Sequence, residues 1–261
     1  VFATLLSPAD FSPTQEGRIA AVAALGGPFF TTSLEELAAA RAAGLQGALV
    51  IEDSGSPEML AAVTAALQTE AEIIAIRTTA LALSEADQAE PDRAPQIARL
   101  AAALAAGEGR HRMLICVDAP LAPISGAEWG ALPAESLLID PIADPDAWRA
   151  AANLPGDRGL ILALVGSAGD PIEAREVLLW GLQYAASLGG RGGARVGFTE
   201  RPAQVRGGGE RAVHPDLAAT THRALADLLR LTAADAETLK RDLDPRSISP
   251  GATHLAARKR E

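Results

Sequence analysis

A chain of 261 residues with 48% apolar but only 3% aromatic side chains has enough Ala, Leu, Ile and Val for one large domain with an aliphatic core. Its 23 Lys and Arg against 33 Asp and Glu leave a net charge of -10, a field that repels nucleic acid and anionic membrane surfaces. A single cysteine, Cys116, rules out an internal disulfide and a cysteine-based structural zinc site, and fits a reducing cytoplasm.

No run approaches the roughly 18–20 apolar residues needed to cross a bilayer. The N-terminus also lacks the basic-then-apolar layout of a signal peptide, so a soluble protein is expected. A strand-like segment directly after Val1 is compatible with a processed start. At the other end, a tail from about residue 252 carries Arg258-Lys259-Arg260, which reads as a solvated charge run rather than a nucleic-acid site.

Along the chain, short β-rich runs alternate with longer Ala- and Leu-rich stretches of helical period, as repeated βα units around a parallel sheet require. Strands are predicted over Phe2 to Leu6, Pro28 to Thr32, Ala48 to Glu52, Ile73 to Thr78, Met113 to Asp118, Ser136 to Asp140, Leu160 to Val165 and Ala194 to Thr199. Between them, Ser33 is placed to cap a helix starting at Leu34, with Glu36 closing a capping box and Gly44 ending the helix. Ser56-Pro57-Glu58 opens the next helix, with Pro57 where no amide hydrogen is needed. Asp170-Pro171 repeats the device and opens the longest regular stretch, Ile172 to Leu188, which Gly189-Gly190 closes.

Two segments break the rhythm: the acidic Leu83 to Pro95, and Pro202 to Pro215 with its Gly207-Gly208-Gly209 run. Both follow strands, which on a barrel makes them binding loops on the active face or excursions without function. Eight βα units over residues 1–261 predict an α/β protein built as a single (β/α)8 TIM barrel. A doubly wound parallel sheet uses the same alternation, but Leu6-Ser7-Pro8-Ala9-Asp10 lacks the glycines of a dinucleotide-binding turn.

In such a barrel the strand C-terminal ends converge on one mouth, which would gather Glu52, Asp53, Asp118, Asp140 and Glu200 with Arg77 and Arg201. Asp140, Asp118, Glu52 and Arg77 are the candidate catalytic residues. Crowded carboxylates hold Mg2+ through hard oxygen ligands, or one of them shifts its pKa and serves as a general acid or base. The same residue types also cap helices and pair with arginines. Gly166 and Ser167 after the seventh strand, with Glu200 and Arg201 after the eighth, are the candidate anion-binding residues, because small residues leave backbone amides open; the same run also makes an ordinary turn. None of His111, His214, His222 and His254 falls at a strand C-terminal end, which argues against a His-rich metal site. Cys116 ends a strand without a histidine predicted beside it to generate the thiolate.

Four stretches carry a family resemblance: Met113-Leu114-Ile115-Cys116; Leu137-Leu138-Ile139-Asp140-Pro141-Ile142-Ala143-Asp144; Gly159 to Ser167 with the following helix containing Glu173 and Glu176; and Arg195-Val196-Gly197-Phe198. In order and interval, this last half of the chain resembles the C-terminal half of the cobalamin-independent methionine synthase barrel and its uroporphyrinogen decarboxylase-like superfamily. The resemblance implies methyl transfer to a thiol, on a zinc held by a His-x-Cys pair, an acid and a final cysteine. Cys116 stands at the first cysteine and Asp140 at the acid, but Leu114 takes the histidine's place and Val196 to Glu200 has no cysteine.

What this implies is a methyltransferase-like barrel enzyme, or a diverged relative of one, without the thiol-activating zinc, binding a small anionic molecule at the strand ends. A Mg2+-dependent lyase or aldolase using Glu52, Asp118 and Asp140 is a second expectation. A non-catalytic binding protein that assembles as a homo-oligomer through helix faces such as Ala98 to Ala106 is a third.

Overall fold

Aliphatic runs too short for helices fold as eight strands: β1 (Phe2–Ala3), β2 (Phe29–Thr31), β3 (Gly47–Glu52), β4 (Ile73–Arg77), β5 (His111–Cys116), β6 (Ser136–Ile139), β7 (Gly159–Val165) and β8 (Val196–Glu200). The helices that follow them in turn are α1 (Gln15–Ala23), α2 (Leu34–Ala42), α3 (Glu58–Ala66), α4 (Ala94–Ala106), α5 (Gly126–Ala131), α6 (Ala147–Ala152), α7 (Arg175–Ser187) and α8 (Pro215–Thr232), after which α9 (Ala236–Asp242) is appended. The computed structural model describes residues 1–83, 93–167, 170–202 and 215–243. Most of the acidic segment, nearly all of the Gly-rich loop and the basic tail lie outside the described residues.

All strand pairs are parallel, in the order β1-β8-β7-β6-β5-β4-β3-β2. The ends of this series meet at a parallel bridge between Leu5 and Phe29, backed by the Thr4 hydroxyl donating to the Pro28 carbonyl at 2.5 Å. The result is a (β/α)8 barrel. Alternation along each strand divides the apolar residues in two. Phe30, Ala48, Ala75, Met113, Ile115, Leu138 and Ile161 fill the lumen, while Ile74, Ile76, Leu114, Leu137, Ile139 and Leu162 pack outward under the helices. Each large aliphatic side chain buried this way contributes about 1.5–3 kcal/mol of transfer free energy.

Local signals at the helix ends are partly overruled by tertiary partners. The Ser33 hydroxyl accepts from the Glu36 amide, but Glu36 does not return to Ser33; its carboxylate takes Arg18 and the Thr31 hydroxyl instead. The reciprocal capping box occurs on α5, between Ser125 and Glu128. Asp170-Pro171 does not open α7, which begins at Arg175. There the chain first folds back over Gly166, so closely that a Cβ on that glycine would lie 2.5 Å from the Pro171 carbonyl oxygen. Gly189 and Gly190, at φ 58° and 68°, turn the chain after α7 as expected. On α4, Leu100 and Leu104 face the barrel, so only alanines of the proposed assembly seam remain exposed.

Candidate functional site

Period-two alternation decides which polar residues enter the mouth. Glu52, Arg77, Asp140 and Arg201 continue the rows of lumen residues on β3, β4, β6 and β8 to the C-terminal rim. Arg77 reaches across to the loop after β5, where Nε and a terminal nitrogen donate to the two Asp118 oxygens at 2.7 and 2.5 Å. These bonds hold the guanidinium pKa above its usual value against the opposing effect of burial, and the charges of Asp118 and Glu52 add to them. Glu52 itself is exposed. On the other side, Arg201 Nε donates to Asp140 Oδ2 at 3.1 Å, while Asp140 Oδ1 accepts the amides of Ile142 and Ala143 at 3.1 and 2.8 Å.

Between the loops after β5 and β6 lies a cavity of about 430 Å³, bounded by Cys116, Asp118, Pro120, Asp140, Asp144 and Pro202 among others. Asp118 and Asp140, distant in sequence, are thus brought to one space. Asp144 joins them and is the residue that sequence reading missed. Its signal is local: four residues after Asp140, its amide donates to the Asp140 carbonyl, closing a turn that aims both carboxylates at the same cavity. Asp144 Oδ2 in turn accepts the Leu121 amide at 2.7 Å and so ties the two loops together.

Other expected mouth residues are committed elsewhere. Asp53 turns to α4, where both oxygens meet Arg99 and one also meets the Thr78 hydroxyl at 2.6 Å. Burial alone would raise the Asp53 pKa, but the bonds from Arg99, Thr78 and Gly55 together hold it below the usual carboxylate value. A depressed pKa gives stability that is present above about 3.8 and is lost as pH falls through the folded value. Asp53→Asn should therefore be destabilised at neutral pH by about 1–3 kcal/mol, with the difference from wild type shrinking in acid unfolding titrations.

Glu200 is 1% exposed and is built into the barrel wall rather than an anion loop. Its oxygens accept the amides of Leu6 and Ser7 and the Thr199 hydroxyl. The Gly166 carbonyl accepts the Thr221 hydroxyl of α8 at 2.9 Å. Ser167 is 2% exposed, and its hydroxyl has no partner among the described residues. Of the histidines, His111 starts β5 at the opposite end of the barrel and His222 bonds the Ala21 carbonyl on the outside; His214 and His254 lie outside the described residues.

Cys116 faces the helix layer, where burial, with the charge of Asp118 adding, pushes its thiol up to about 12. The thiol should not react with Ellman's reagent at pH 8 in the folded protein and should react fully in denaturant. With Leu114 buried beside it in the same outward layer and no cysteine on β8, the residues present do not fit the zinc site that the family resemblance describes. Among the described residues, no three His, Cys, Asp or Glu side chains are gathered as ligands to a metal ion would be. No helix among them is long and apolar enough to cross a membrane.

Fold and mouth together define a (β/α)8 barrel with ion-paired carboxylates at the strand C-terminal ends. No family model matches the sequence, and no curated protein is similar to it in sequence. Among solved structures, the chain is similar to a protein from Listeria monocytogenes provisionally described as a vitamin-B12-independent methionine synthase, with a TM-score of 0.55 and 10% identity over 80% of this chain and 74% of that one. At that identity the likeness shows the barrel fold alone.

Proposed function

We propose that the protein is a barrel enzyme, or a relative of one, that binds a small polar molecule at its C-terminal mouth. The observation that carries this reading is the cavity of about 430 Å³ between the loops after β5 and β6, into which Asp118, Asp140 and Asp144 converge. That volume lies within the range of small-molecule sites. Among the described residues its lining holds these acids and no arginine, so it favours a ligand group that donates hydrogen bonds or carries positive charge. An anion placed there would have to displace Asp118 from Arg77 or Asp140 from Arg201.

An anionic group elsewhere on the same molecule is better served on the β7–β8 side. There the Ser167 hydroxyl has no partner among the described residues, and Arg201 uses Nε on Asp140. A ligand with an amine at one end and a carboxylate at the other satisfies both sides.

Titration calorimetry with putrescine, glycine and inorganic phosphate tests this assignment. Binding of an amine-bearing probe, weakened about tenfold by Asp144→Asn through the loss of one charge-assisted contact, is the expected result. Binding of phosphate alone, or amine binding indifferent to Asp144→Asn, would overturn it.

A further inference from the structure

Three of the chain's four Trp and Tyr residues meet outside the barrel. Trp129 is the exception: it is buried, and its indole donates to the Ala150 carbonyl at 2.9 Å. Trp180 and Tyr184, one turn apart on α7, stack with their rings 4° from parallel and their centroids 5.2 Å apart. Trp148 of α6 stands edge-on to both, at 6.4 and 5.1 Å. The barrel leaves much of this face uncovered. Trp180 is 57% exposed and Val177 47%, whereas Leu178, Leu179 and Leu182 of the same helix are buried. Rings that already hold one another lose little side-chain freedom when covered, and Trp and Tyr are the residues that anchor interfaces.

Charge decides what fits there. A net charge of -10 makes two copies repel unless their contact is locally complementary. Along this face it is. Glu173 and Glu176 stand at the mouth end of α7 and form no ion pair among the described residues. Arg175 between them turns to α8, where Asp227 holds it at 2.8 Å. α6 lies towards the other end of α7, beside the turn at Leu188–Gly190. There Arg149, next to Trp148, has only a loose contact with Asp146 at 3.5 Å, and both side chains are more than 70% exposed.

If two copies cross with their α7 helices antiparallel about Trp180, Glu176 of each faces Tyr184 of the other, since both lie four residues from Trp180, about 6 Å along the axis. Tyr184 touches Trp148, so Glu176 arrives beside Arg149 of the second copy. A parallel crossing would set Glu176 against Glu176. The antiparallel contact is isologous and closes with two copies. We infer that the outer face of α6 and α7 is a dimer interface for a second copy of this chain, with Trp180 at its centre and Arg149 paired with Glu176 across the two-fold axis.

Sedimentation velocity over a concentration series tests this. Wild type should sediment as a dimer, and Trp180→Asp as a monomer with an unchanged circular dichroism spectrum. Arg149→Glu and Glu176→Arg should each raise the dissociation constant about tenfold, because either swap turns two attractive pairs into repulsive ones. The double variant restores opposite charges and should recover most of the affinity. Both charged residues lie outside the core, so these variants decide the matter even if Trp180→Asp fails to fold. A wild type that is monomeric at about 100 µM would overturn the inference and leave the face to a different protein. A dimer that survives Trp180→Asp, or charge swaps that do not compensate one another, would overturn it as well.

Discussion

Replacing Arg191 by alanine is expected to lower the unfolding free energy by roughly 3–5 kcal/mol, because several buried acceptors would lose their donor at about 1–3 kcal/mol each. The guanidinium is 2% exposed and forms no ion pair among the described residues. It is held by main-chain carbonyls instead, those of Arg158 at 2.7 Å, Ala185 at 3.0 Å, Leu154 at 3.3 Å, and Leu188 and Pro155 at 3.4 Å. One side chain thereby fastens the end of α7 to the loop that leads into β7. Burial depresses its pKa, but no carbonyl can take its place as a donor.

Arg191→Lys keeps the charge but offers three donors in a different geometry, so it should recover only part of the loss. Urea denaturation of the three proteins measures both effects. At about 2–4 °C per kcal/mol for a domain of this size, the alanine variant should melt about 10 °C lower. Equal stability of wild type and Arg191→Ala would show that the carbonyl cage contributes nothing.

Glu200→Ala should cost about 2–4 kcal/mol, since at the seam between β1 and β8 it strands the Ser7 amide and the Thr199 hydroxyl proton and leaves the Leu6 amide with the Thr199 oxygen alone. This seam matters because β1 is the shortest strand, only Phe2–Ala3, and past the Thr4 amide's bond to the Phe198 carbonyl the hold on β8 passes to the Thr199 and Glu200 side chains. Glu200→Gln separates the hydrogen bonds from the charge. Burial raises the Glu200 pKa, with the bonds from Thr199, Ser7 and Leu6 opposing.

Below about 4.5 the carboxyl is protonated in folded and unfolded chains alike, and its ionisation then costs nothing. As pH rises from there through the folded pKa, the unfolded chain releases its proton first, and wild type loses stability that the glutamine variant never had. The variant, less stable because its amide nitrogen must face a main-chain donor, should therefore approach wild type as pH rises. Denaturant unfolding at intervals between pH 4 and pH 8 would show it, and a gap that widens with pH would contradict this account.

The reach of these bonds explains what was legible in advance. The strands could be read because a buried parallel strand is a short aliphatic run bounded by turn residues, as in Ile73–Arg77 and Gly159–Val165. The period of two then brings Glu52, Arg77 and Asp140 to the rim, since each follows a lumen residue by two positions. Partner choice could not be read. Asp53 and Asp118 look alike as acids at strand ends, yet one is claimed by Arg99 from 46 residues away and the other by Arg77 from 41. Asp170-Pro171 has a helix-opening pattern, and it fails because the chain must first pass over Gly166.

Alternation of short aliphatic runs with helical stretches, together with the acidic composition, thus determined the barrel and the carboxylate-rich character of its mouth, because both depend on local periodicity. Only the tertiary structure decided which acids face a cavity, that Glu200 joins β8 to β1, that Arg191 is caged by carbonyls, and that Trp148 meets Trp180 on the outer face. Those outcomes depend on contacts between residues far apart in the chain, up to 194 positions for the bond from Leu6 to Glu200. No local pattern encodes them.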